Sequence, residues 1–222
     1  MSAQHQKKQQ PRRDVFTAFP ASDYGNLIVR YPDANDGRLA ASYAEAANRL
    51  AGTFRGQAPD DALLLPFLFL YRHAIELELK YAIRYAVRLR RNEGETDPSL
   101  ESDALDQHLK GKLKHRLMAL VGEIDKHLLA LNLETVPPKV RKTLELIHST
   151  DLVGESFRYP GSLADEQDQI DFVALATAIH DAYQTVATEV DMLSVIEDYQ
   201  YDAGEEQRAF EAELRGDFEG DI

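Results

Sequence analysis

Apolar residues recur at intervals of three and four along most of this chain and almost nowhere alternate one by one. The pattern therefore predicts helices and no strand. Asp36 caps a first helix over about residues 37–54, whose Leu39, Tyr43, Ala46, Ala47, Leu50 and Phe54 share one face. A second helix covers about residues 61–91. Its first half, with Leu64, Leu65, Phe67, Leu68, Leu70 and Tyr71, is apolar nearly all round and should be the buried centre of the fold. Pro66 sits in its first turn or kinks it. The second half sets Ile75, Leu79, Ile83 and Val87 against Lys80, Arg84, Arg88, Arg90 and Arg91, which predicts a basic outer face. Residues 92–103 read as a loop. Leu105, Leu109, Leu113, Leu117, Leu120 and Ile124 mark a third helix over residues 104–131. Pro137 and Pro138 open a fourth that ends near His148. After a loop with Gly154, Pro160 and Gly161, a fifth helix over residues 168–199 turns Ile170, Val173, Ile179, Tyr183, Val186, Val190 and Leu193 inward. Residues 204–214 form one more, exposed, helix. The expectation is an all-α, up-and-down helical bundle of four to five long helices.

A length of 222 residues suits one such bundle with tails. Residues 1–35 read as a disordered basic arm running into an irregular segment, residues 36–199 as the bundle, and residues 200–222 as an acidic tail. The chain has no Cys, which excludes a disulfide scaffold, a cysteine-based zinc site and a cysteine nucleophile. Its longest apolar run, residues 62–71, is half of the roughly 20 residues that a membrane-spanning helix needs. The first 13 residues lack the apolar core of a secretory signal. A cytoplasmic protein without membrane contact is the expectation.

Charge divides the chain further. The net charge is −13, yet residues 72–142 hold 14 basic and 11 acidic side chains, whereas residues 143–222 hold 20 acidic and three basic ones. Such asymmetry marks either an interaction or self-masking tail, through which a protein partner would bind, or acidic residues that merely solubilise helix faces. The overall acidity excludes broad non-specific duplex binding and leaves room for a local basic face.

Arg72, His73, Glu76 and Lys80 interrupt the most apolar helix. His73, Glu76 and Lys80 share a face, so they either form a network that fixes helix register or line a functional polar pocket. His108 and His115 stand seven residues apart among lysines, without the further ligands a metal needs, and His180-Asp181 lacks partner histidines; no metal site and no cofactor is expected. Gly-rich phosphate loops and Gly-x-Ser-x-Gly elbows are absent from the sequence. Arg141 and His148 lie two helical turns apart on one face. An imidazole that moves a proton at a ribose 2′-hydroxyl, beside a guanidinium that stabilises the phosphorane, is sufficient for metal-free RNA cleavage. Arg158 and Tyr159, in Ser156-Phe157-Arg158-Tyr159-Pro160, suit anion binding and stacking on a base, or else capping of a helix end. Arg30-Tyr31-Pro32 repeats that tripeptide near the N-terminus.

Three of these pieces together resemble the HEPN superfamily, the helical domains of prokaryotic defence and toxin–antitoxin systems. They are Tyr71-Arg72-His73 with Glu76-Leu77-Glu78-Leu79-Lys80, His115-Arg116-Leu117 with Leu120, and Phe157-Arg158-Tyr159-Pro160. The resemblance covers about residues 60–197. It implies a four- to five-helix bundle that forms a homodimer with its cleft between protomers. It also implies an RNA endonuclease acting through an Arg-x4–6-His motif, which Arg141 to His148 satisfies in spacing. That motif precedes the Arg-Tyr-Pro segment here, and members with Arg-Tyr-Pro often lack the nuclease motif and bind nucleotides or partner proteins. The resemblance thus carries two expectations: a metal-independent ribonuclease, or a non-catalytic module for dimerisation and nucleotide or partner binding.

Overall fold

A computed structural model describes residues 35–152 and 169–219, with side chains to residue 211. Every regular element among them is helical. Helix α1 spans Asp36–Ala51; a 3-10 turn, Ala58–Leu63, leads into α2, Leu64–Asn92. A second 3-10 turn, Pro98–Leu100, precedes α3, Ser102–Gln107, which continues as a π-helical turn, His108–Leu113. Then follow α4, Leu117–Ala130, α5, Pro138–Thr150, and α6, Phe172–Glu219. No helix among the described residues is long and apolar enough to cross a membrane.

The boundaries follow local chemistry. Asn35, rather than Asp36, caps α1, its Oδ1 accepting from the Arg38 N–H at 2.8 Å. Pro66 lies in the first turn of α2, where its missing N–H leaves no helical bond unmade. Pro138 opens α5 as its first residue. At the start of α6 the Asp171 carboxylate accepts from the Ala174 N–H at 3.0 Å.

Residues 104–131 are not the single helix that their stripe suggests. The chain reverses at Lys114, whose φ of 50° and ψ of −116° lie outside helical space. Gly111 weakens the helix just before the break. Because of that reversal, consecutive helices alternate in direction. Asp36 pairs with Arg84 and Tyr43 meets His73, so α1 runs against α2. Arg91–Glu101 and Arg84–Asp106 carry α3 back along α2, while Glu76–His115 and Arg90–His127 set α4 parallel to it. α5 opposes both, and α6 runs with α2 from Phe67–Phe172 to Glu93–Gln200. Val173 and Ile170, expected inside, are 60% and 52% exposed, and Phe172 takes the buried place against Phe54 and Phe67. The exposed last helix is no separate element either: α6 passes through Gly204 without interruption.

The seam between α1 and α2 is made close by small residues. Ala40, Ala44 and Ala47 form the buried face of α1, and a Cβ at Gly37 would lie 2.7 Å from the Tyr81 ring. Ala40→Leu should therefore overpack a fully buried position and lower stability by about 1–3 kcal/mol in thermal or urea unfolding.

Two buried titratable groups lie away from that seam. Glu78 packs under α6 with Tyr183 Oη donating to it at 3.5 Å. Burial pushes its carboxyl up to about 7, against that hydrogen bond and reinforced by Asp191. His127 is held down to about 4, by burial first, with Arg90 and Lys126 adding to it and Glu123 opposing. The folded chain thus keeps a proton on Glu78 between pH 4.5 and 7 that the unfolded chain has lost, so stability falls as pH rises through that window. His127 acts oppositely: below 6.5 the unfolded imidazole binds a proton that the folded one refuses until about 4, so stability falls as pH drops. Each effect is worth roughly 3 kcal/mol and the two oppose one another over most of their range. Glu78→Gln should raise stability at pH 8 and expose the His127 slope, giving a steeper loss between pH 6.5 and 4.5 than the parent shows.

Candidate functional site

Arg72 is 3% exposed in the middle of the most apolar helix, so its charge must be met inside the protein. It reaches three elements. Its Nη1 donates to Glu76 Oε2 one turn on at 3.2 Å. Its Nη2 donates to the His115 carbonyl at 2.5 Å and to the Asp151 carbonyl at 3.4 Å. Its Nε lies 3.0 Å from Asp151 Oδ2, an attraction of charges rather than an aligned hydrogen bond. Arg72 therefore pins the Lys114–Arg116 reversal and the C-terminal end of α5 to α2.

Glu76, 2% exposed, is the other pole. Its Oε1 accepts from Lys80 Nζ at 2.6 Å and faces His115 Nδ1 at 2.8 Å. Burial works against its charge, but the hydrogen bonds and charges of Lys80 and His115 prevail and hold the carboxyl below its ordinary value. With Glu76 ionised, His115 Nδ1 carries the proton in that contact. The ring is thereby oriented and Nε2 is left for a ligand on a side chain that is 55% exposed.

His148 joins from the last turn of α5. Its Nδ1 is buried with no hydrogen-bond partner among the described residues. Burial first, then the positive charges of Arg72 and Arg116, hold the imidazole below its ordinary value, with Asp151 pulling the other way. It is a neutral imidazole at pH 7.

Of the residues singled out from the sequence, Arg72, Glu76, Lys80, His115 and His148 converge here. His73 packs toward α1 instead, its ring edge-on to Tyr43 at 4.6 Å and stacked on Phe69 at 6.2 Å. Arg141 does not reach the cluster: two helical turns from His148, its guanidinium pairs with Asp125 of α4. Arg158 and Tyr159 lie outside the described residues. His108 faces Glu123, which also holds His127, so it belongs to a second network that continues through Arg90 to Glu95. His180 Nδ1 bonds Tyr71 Oη at 2.7 Å.

The basic outer face expected of α2 is consumed within the fold. Arg84 pairs with Asp36 and Asp106, Arg88 with Glu197, Arg90 with Glu95 and Arg91 with Glu101. By contrast, Lys112, Lys114 and Arg116 are exposed and have no carboxylate partner among the described residues. Three cations thus lie together on the turn that carries His115, whereas Arg38, Arg55 and Lys142, also outside any ion pair among the described residues, are scattered; the charge of Arg116 is felt at His148. Sequence reasoning missed Asp151 and Arg116. Asp151 stands three residues after His148, and Arg116 directly after His115, so proximity was the available signal.

No protein-family model, no curated protein and no solved structure matches this chain. The function is therefore argued from the site.

Arg72→Lys should be far from conservative. An ammonium cannot meet Glu76, Asp151 and the two carbonyls at once. Unfolding should show a loss of about 3–5 kcal/mol, as for a broken buried ion pair, whereas Arg141→Ala, at a partly exposed pair, should cost less than half of that.

Proposed function

We propose that this chain is a HEPN-like protein of a prokaryotic defence or stress system, working in the cytoplasm and cleaving RNA without a metal ion. The observation that carries the reading is the group Lys112, Lys114 and Arg116, without carboxylate partners among the described residues, on the turn of His115, with Arg116 and Arg72 both acting on His148. A polyanion docks where positive charge is not already spent, and the α2 arginines are spent.

The division of labour follows from the environments. Neutral His148 takes the proton of a ribose 2′-hydroxyl. The 2′-oxygen attacks phosphorus, and the bond from phosphorus to the 5′-oxygen breaks. His115, with Glu76 behind it to balance its charge, returns a proton to the departing 5′-oxygen. The products are a 2′,3′-cyclic phosphate and a 5′-hydroxyl. Arg116, whose charge is felt at His148, supplies the guanidinium for the phosphorane charge in this reading, the role that spacing suggested for Arg141, which Asp125 engages. Arg72 positions His115 and the end of α5 without touching substrate.

One observation favours the second reading, a non-catalytic module binding a nucleotide or partner protein. Arg72, Glu76, Lys80 and Asp151 already satisfy one another, as in a purely structural lock. Incubating the purified chain with end-labelled single-stranded RNA in excess EDTA separates the two. Cleavage to cyclic phosphate ends should survive the chelator, fall by about 10²–10⁴ in His148→Ala and in His115→Ala, and remain within severalfold in Arg141→Ala. Wild-type protein that binds RNA without cutting it would leave the non-catalytic reading standing. Activity undiminished in both histidine variants would remove this site from consideration.

A further inference from the structure

The packed bundle ends near Gln200, but α6 does not. Gln200 Nε2 donates to Glu93 Oε1 at 3.2 Å, beside the C-terminal end of α2. Beyond it, from Tyr201 to Glu211, every side chain is exposed. A helix of this length is marginal when it stands alone in water.

Its surface is not uniformly polar. At about 100° per residue, Met192, Val195, Tyr199, Ala203 and Phe210 fall on one stripe, on the side away from Val186, Val190 and Leu193, which face the core. Val195, Tyr199 and Phe210 are 66, 76 and 60% exposed. Asp198, Asp202 and Glu205 line one flank of the stripe, Glu206 falls within it and Glu211 on the far side, and Arg208 pairs with Glu205 at 2.6 Å. The occupant of this face must therefore be cationic with an apolar centre.

The chain has such a surface itself. Lys112, Lys114 and Arg116 have no carboxylate partner among the described residues, and Leu152, 59% exposed, follows Asp151, whose carbonyl accepts from the same Arg72 that holds the turn. One molecule cannot bring the two together. Glu93, where α6 leaves the bundle, lies 17 residues along α2 from Glu76, or about 25 Å, and α6 continues in the same direction, away from the site.

We propose that the acidic extension of α6 in one copy docks across the Lys112–Arg116 turn of a second copy, with Phe210 against Leu152, and covers His115 and His148. Exchanged reciprocally, the contact closes a dimer in which each copy masks the other's site. As regulation of an RNA site it rests on the function proposed above; as an interface between copies it does not. RNA then opens the site by competing, as the stronger polyanion, for the same three cations.

Sedimentation equilibrium without RNA tests the interface on the full chain. Wild type should self-associate at low salt, with a dissociation constant that rises at least about tenfold between 50 and 500 mM NaCl. Reversing the turn (Lys112→Glu, Lys114→Glu, Arg116→Glu) or the tail (Asp202→Lys, Glu206→Lys, Glu211→Lys) should give monomers. An equimolar mixture of the two variants should associate again, because each tail then meets an opposite charge on the other chain's turn. A monomeric wild type, reversed variants that associate as the parent does, or a mixture that stays monomeric would each overturn the proposal. Failure of the RNA reading alone would leave these results unchanged. The tail-reversed variant should also bind a fluorescent single-stranded RNA more tightly than wild type; equal binding, with dimerisation lost, would detach the interface from the site.

Discussion

The burial of one guanidinium organises this protein. Arg72 lies in a helix whose neighbours are Phe67, Tyr71, Ala74 and Ile75, where an unmet charge would be intolerable. It is met by bringing the ends of two other elements to it: the His115 carbonyl after the reversal, and the Asp151 carbonyl and carboxylate after α5. Helix termini and reversals are where backbone oxygens lack helical partners, so a buried donor with several N–H groups naturally collects them. The chemistry of the site follows from that demand. His115 reaches Glu76 because its carbonyl is held by Arg72, and His148 lies at the same guanidinium because Asp151 is three residues on.

The backbone at Lys114 belongs to the same constraint. A non-glycine residue at φ 50° and ψ −116° carries strain that its surroundings must offset. The surroundings here are the π-helical turn before it, closed by the Lys114 N–H on the Leu109 carbonyl at 2.8 Å, and the Arg72 bond just after it. The strain is located where a histidine must leave one helix and begin the next while turning its ring back to α2.

Much of the bundle was legible in the sequence because periodicity reports which side of a helix is buried. Leu79, Ile83 and Val87 on α2 and Leu117, Leu120 and Ile124 on α4 are buried as their spacing requires. The break at Lys114 was not legible, since Leu105, Leu109 and Leu113 stay in phase with Leu117 and Leu120 across it. Periodicity records the face and is silent about a reversal that preserves it. The candidate site was half legible for a similar reason. Glu76, Lys80 and Arg72 are neighbours along one helix, which spacing can find. The nearness of His148 to Arg72, while Arg141 turns to Asp125, brings together residues 76 positions apart, and only packing decides it.

Charge was the most misleading signal when counted and the most informative when paired. The run from Arg84 to Arg91 looks like a basic outer face, yet its four arginines tie four other segments to α2: α1 through Asp36, α3 through Asp106, α6 through Glu197 and the following loop through Glu95 and Glu101. Exposed pairs of this kind add little stability one by one. Their effect is on specificity, since a helix seated one turn out of register would leave several guanidiniums facing carboxylates that are no longer there. Among the described residues, six exposed cations remain outside any ion pair; Arg38, Arg55 and Lys142 are scattered, and the other three, Lys112, Lys114 and Arg116, lie together on the turn that Arg72 holds in place.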